Sequence, residues 1–161
     1  MGSICRRLMR SPAVTALAIT TSVTGCHSSV PRPQPTVSLN QEVRDGKFAF
    51  TVSKVDIGTA NIGIHSAQGV FVIADIMVKN IGDEPRTAYC QNQRLKDLAG
   101  KTYDDAVTVG GGEDLINIKS GKQVRLTCAF DVPKGTLPAA IEVHDRTYSP
   151  GATVRVLGAV R

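Results

Sequence analysis

Four cysteines, three histidines, a triple glycine and four clustered carboxylates are the residues of this 161-residue chain with chemistry beyond packing. Nucleophilic catalysis needs a base within hydrogen-bond reach of a hydroxyl or thiol. The available bases are His27, among prolines, His65, in Gly63-Ile64-His65-Ser66-Ala67-Gln68-Gly69, and His144, beside Asp145. Alternation with Ile141 and Val143 predicts an outward-facing His144, and adjacent strand residues point to opposite faces, which works against a His144–Asp145 dyad. No G-x-S-x-G elbow is present, so no catalytic residue is assigned and the chain is read as a non-enzyme.

Gly110-Gly111-Gly112 resembles a phosphate cradle only superficially. It leads into Glu113-Asp114 instead of Lys-Ser/Thr, and the two acids would repel a phosphate. Asp104, Asp105, Glu113 and Asp114 flank the glycines, and Ca²⁺ takes six to eight oxygen ligands. Their spacing matches no EF-hand loop. The expectation is a solvated acidic loop, with these four as calcium candidates and no cofactor assigned.

The elements that would position these groups begin with a leader. Residues 1–10 carry Arg6, Arg7 and Arg10 and no acid, and residues 12–23 are apolar and small. That is the layout of a secretory signal peptide, too short to span a membrane as a stable helix. It ends in Val23-Thr24-Gly25-Cys26, which resembles the lipobox of bacterial lipoproteins. The resemblance implies cleavage after Gly25 and a diacylglyceryl thioether on Cys26, anchoring the protein at the extracytoplasmic face of the cell membrane. The expected organisation is a signal peptide over residues 1–25, a lipidated cysteine and tether over 26–40, and one folded domain over 41–161. Pro31, Pro33 and Pro35 alternate in the tether, which favours extended polyproline II and a reach of roughly 30 Å.

The net charge of +5 is partly a targeting signal, because three of the nineteen basic residues lie in the leader. There is no run of Lys and Arg that would mark a nucleic-acid partner. Cys5 is lost with the leader and Cys26 is taken by lipid, leaving Cys90 and Cys128 in an oxidising compartment. A disulfide between them is favoured, and two free thiols or two metal ligands are the alternatives.

The rest reads as strands. Phe48, Phe50 and Val52 alternate with polar or small residues, and a change of parity toward Val55 predicts a bulge. Residues 69–80 read as a central strand, with Val70, Val72, Ala74, Ile76 and Val78 on one face. A third strand is expected over 86–95, then a hairpin at 97–101 with Gly100 at positive φ. Residues 122–132 alternate again, putting Cys128 on the core face with Leu126 and Phe130 and opposite Cys90 on a neighbouring strand. Short strands at 141–143 and 154–156 follow. No window sustains helical periodicity, so the fold class is all-β, an antiparallel sandwich.

Three motifs carry a family resemblance. Val78-Lys79-Asn80-Ile81-Gly82-Asp83-Glu84-Pro85 after its strand, Leu95-Lys96-Asp97-Leu98-Ala99-Gly100-Lys101, and Phe130-Asp131-Val132-Pro133-Lys134-Gly135 resemble motifs of bacterial extracytoplasmic lipoproteins with an immunoglobulin-like, telokin-like domain of unknown function. Residues 139–154 are most similar to actinobacterial, especially mycobacterial, members, and the family includes a secreted mycobacterial antigen. The resemblance implies the sandwich and no catalytic residues. The expected role is a monomeric, lipid-anchored binding or display module, with the loops at 59–68 and 104–114 as the candidate surface. A structural or chaperone-like component that pairs through a sheet edge is the alternative, and a calcium-organised site a second one.

Overall fold

A computed structural model describes residues 35–110 and 116–158. The strands in chain order are β1 (Thr36–Ser38), β2 (Glu42–Asp45), β3 (Phe48–Ile57), β4 (Asn61–Ile62), β5 (His65–Ser66), β6 (Val70–Asn80) and β7 (Arg86–Ala88). Then follow β8 (Arg94–Asp97), β9 (Thr102–Tyr103), β10 (Val107–Thr108), β11 (Ile116–Ile118), β12 (Gln123–Val132), β13 (Pro138–Val143) and β14 (Ala152–Arg155). One sheet runs β10-β12-β6-β3-β2 and the other β1-β14-β13-β8-β9, with two small ribbons, β7–β11 and β4–β5. The pairing is antiparallel except for β1, which lies parallel to β14. Because β1 falls inside the segment expected as tether, the described fold starts at Thr36 and not at residue 41.

The period-two strands behave as their side chains dictate. Phe48, Phe50 and Val52 are buried, and the register against β6 slips between Val52 and Lys54, so that Val55 returns to the core. β6 is central, between β3 and β12, and its Val72, Ala74, Ile76 and Val78 meet Leu126, Cys128, Phe130 and Val132 of β12 in one cluster. Leu95, Ile141, Val143 and Val154 supply the facing sheet's share. Fully burying each such side chain contributes about 1.5–3 kcal/mol, so this common core is what holds the two sheets together.

The single strand expected over 86–95 is instead β7, a 3-10 turn at Cys90–Asn92, and β8. The break carries the chain from the β7–β11 ribbon into the second sheet. Cys90 therefore reaches Cys128 from a turn, not from a neighbouring strand, and the disulfide between them ties that turn to the first sheet. It closes a separation of 38 residues, which by chain entropy contributes about 4 kcal/mol.

Candidate functional site

The sandwich has two chemically different ends. At the first, the described chain begins, with Pro35 accepting a hydrogen bond from Thr153 N at 2.9 Å. The loop 144–151 between β13 and β14 lies there, and a buried polar network fastens it. Asp145, its side chain 2% exposed, accepts both of its contacts to Arg86 from Nη2 at 3.0 Å, and a third from Lys47 N at 3.3 Å. Asp45 accepts from Asp145 N at 2.7 Å and from Gly151 N at 3.0 Å. The Arg86 guanidinium also lies 5.7 Å from the Phe48 ring centroid. Two carboxylates thus bind the β2–β3 turn, the 144–151 loop and β7 together through backbone N–H groups and one arginine.

His144 is buried, at 5% exposure, and does not face outward as alternation predicted. The strand ends at Val143, so the alternation rule no longer applies one residue later. Gln93 holds His144 from both sides: its Oε1 accepts from His144 N at 2.9 Å and its Nε2 donates to His144 O at 3.2 Å. The ring Nδ1 lies 3.1 Å from Ser149 O, a carbonyl that can only accept, so Nδ1 carries the proton. The Ser149 hydroxyl donates elsewhere, to Arg146 O at 2.9 Å. His144 and Asp145 therefore serve separate partners, and neither meets a hydroxyl as a base would.

The opposite end has a different character. Residues 59–68 fold into the β4–β5 hairpin, closed by Ala67 N donating to Ala60 O at 2.8 Å and by Ser66 Oγ to Asn61 Oδ1 at 2.8 Å. Asp131 on β12 accepts from Gln68 N and Gly69 N at 2.8 and 3.3 Å. A β-carbon at Gly69 would overlap Val132 O, so glycine is what lets the hairpin sit this close. Ile64 stands at its tip, 94% exposed.

Beside the hairpin lies an open cleft of about 530 Å³, lined by Gln68, Lys101, Tyr103, Asp131, Pro133 and Lys134 among others. Its wall is preorganised by Asp97. Partial desolvation pushes that carboxyl up, but the Lys101 N–H, the Tyr103 hydroxyl, the Ala99 N–H and the Lys101 charge outweigh it and hold the group below its ordinary 3.8. The Lys101 N–H and Tyr103 hydroxyl donate to it at 2.9 and 3.0 Å, and Lys101 Nζ lies 4.8 Å from the Tyr103 ring centroid. Leu98 follows in the β8–β9 turn, where Gly100 has φ +84°, and its N–H donates to Leu137 O at 3.1 Å. Of the seven large apolar side chains exposed among the described residues, five (Ile57, Ile64, Leu98, Leu137 and Leu157) lie at this end.

The remaining candidates are dispersed. Cys26 and His27 lie outside the described residues, as do Glu113 and Asp114. Asp104 and Asp105 are exposed on the crossover from β9 to β10, with Asp105 at φ +56°. Among the described residues no group of three His, Cys, Asp or Glu is placed to hold a metal. The edge strands β1, β2, β9 and β10 have two to four residues each, which gives a partner strand little template.

Sequence reasoning missed the Arg86–Asp145–Asp45 network, whose members are far apart along the chain. It also missed the role of Asn80. Buried at the end of β6, Asn80 donates from Nδ2 to Glu84 O and Ile118 O at 2.7 and 2.8 Å, and its Oδ1 accepts from Gly82 N at 2.9 Å. That explains Lys79-Asn80-Ile81-Gly82 as a turn-closing motif.

A family model described as Domain of unknown function (DUF4352) matches residues 37–153. No curated protein matches the sequence significantly. Among solved structures, the chain is similar to MPT63, a secreted protein from Mycobacterium tuberculosis. The TM-score is 0.61 at 18% identity, covering 76% of this chain and 98% of that one. It is also similar to the yjhA protein of Bacillus subtilis, with a TM-score of 0.54 at 16% identity, covering 75% and 98%. A third is an uncharacterized β-sandwich protein of Clostridium difficile 630, with a TM-score of 0.51 at 9% identity, covering 77% and 95%. At these identities the likeness is one of fold.

Proposed function

We propose that this chain, which belongs to the DUF4352 family of domains of unknown function, is a lipid-anchored cell-envelope protein whose sandwich is a binding and display module without turnover of its own. The leader and Val23-Thr24-Gly25-Cys26 support an anchor at Cys26 on the extracytoplasmic face. A fold shared with a secreted protein agrees with that address. The observation that carries the binding reading is the crowding of five of the seven exposed large apolar side chains at the end opposite Pro35. Exposed apolar side chains grouped together are typical of recognition surfaces, and the same end carries the cleft lined by Lys101, Tyr103 and Lys134. The short edge strands weigh against pairing through a sheet edge.

The test is site-specific photo-crosslinking in cells. A photoreactive residue at Ile64, Leu98 or Leu137 is expected to give one discrete adduct. The same residue at Met77, on the outer face of the first sheet, is expected to give none. Equal labelling at all four positions would contradict a localised binding end.

A further inference from the structure

We propose that the end of the sandwich from which Pro35 departs docks onto the anionic headgroups of the membrane that holds the anchor. The proposal rests on the anchor at Cys26.

The loops at that end are joined by backbone hydrogen bonds into one surface. Ile81 N donates to Lys47 O at 2.9 Å, and Asn80 N to Lys122 O at 2.9 Å. Lys47 N in turn meets Asp145, beside Arg146. The exposed cations there are Lys47, Lys79, Lys119, Lys122 and Arg146. Among the described residues at this end, the exposed carboxylates are Asp83 and Glu84. Asp45 and Asp145 are buried and already committed to N–H groups and Arg86. The surface therefore carries an excess of positive charge, which an anionic headgroup layer complements within a Debye length of about 8 Å.

Tyr148 lies two residues after Arg146 in the 144–151 loop. It is 96% exposed, between Arg146 and Ser149, and nothing in the core requires it. A tyrosine has an apolar ring and a polar tip, the combination that sits at headgroup level. Ile81, also exposed, adds a second apolar contact.

Chain length supplies the third argument. Nine peptide steps separate Cys26 from Pro35. In extended polyproline II, at about 3.1 Å per residue, they span roughly 28 Å, so this end would be confined close to the bilayer at high effective concentration. The far end lies a further ten-residue strand away, about 30 Å along β12. Docking the cationic end would hold the far-end cleft pointing away from the lipid.

The chain has no tryptophan, so one introduced at a chosen site reports alone. Full-length protein carrying Tyr148→Trp, or Ile64→Trp, is placed on phosphatidylcholine vesicles with about one-third phosphatidylglycerol and a headgroup nitroxide quencher. Tyr148→Trp is expected to be quenched several-fold more than Ile64→Trp. The difference should vanish in pure phosphatidylcholine, at about 0.5 M salt, and when Lys47, Lys119, Lys122 and Arg146 are changed to Glu. Equal quenching at the two sites on the anionic vesicles would overturn the proposal. Failure of the anchor reads out separately, as protein that does not float with vesicles at about 0.5 M salt. In that case flotation on anionic vesicles at low salt, abolished by the four charge reversals, still supports docking, and its absence overturns it.

Discussion

Gly46 and Asp145 are 99 positions apart and touch so closely that a β-carbon on Gly46 would overlap the Asp145 carboxylate. Gly46 also has φ +57°, in the left-handed region. Both facts forbid a side chain here for reasons that add. Gly46→Ala is expected to lower stability by about 2–3 kcal/mol, read from denaturant unfolding midpoints at unchanged m. A loss below about 0.5 kcal/mol would mean that the 144–151 loop can move away without cost.

The same carboxylate depends on Arg86. Asp145 is 2% exposed while Arg86 is 30% exposed at its side chain, so the acid is the partner that needs compensation. Arg86→Ala strands a buried charge and should cost about 3–5 kcal/mol, near the low end because Arg86 is part-solvated. Changing Asp145 to Asn at the same time should recover part of that loss. A double variant no more stable than Arg86→Ala would show that the ion pair is not the reason Arg86 matters.

These contacts mark where sequence reading stops. β3, β6 and β12 are legible because each buries one face and so alternates strictly, down to the bulge after Val52. Gly100 and the 97–101 hairpin are legible because turn chemistry is local. The stretch after Arg86 is not, since a 3-10 turn inserted between two short strands leaves no period to read. His144 misleads because it lies one residue past a strand end. The far-end cleft is legible only in part: residues 59–68 announce a loop, but nothing local says that Asp131 will hold it.

Cys90 and Cys128 are expected to give no free thiol in denatured, unreduced protein. Replacing both with Ala should lower stability by about 2–4 kcal/mol and leave the β-type circular dichroism spectrum in place, because the shared core remains. Loss of the β spectrum would assign the disulfide a folding role that the core was thought to fill.

Asp97 gives a prediction for pH. Its carboxyl is held below 3.8 in the folded chain, so its stabilisation is fully present above 3.8 and is lost as pH falls through the lower folded value. NMR titration of the Asp97 side chain should give a midpoint below 3.8, and Asp97→Asn should remove the accompanying shift at Tyr103. A midpoint at or above 3.8 would show that the hairpin wall is not preorganised by this carboxylate.

The proposed anchor at Cys26 underlies both the display role and the headgroup docking, so detergent-phase partitioning of wild type and Cys26→Ser tests the account most directly. Two acyl chains retain a protein where one does so only marginally. The wild type is expected in the detergent phase of envelope extracts and Cys26→Ser in the aqueous phase or the medium. Identical partitioning of the two would contradict the account.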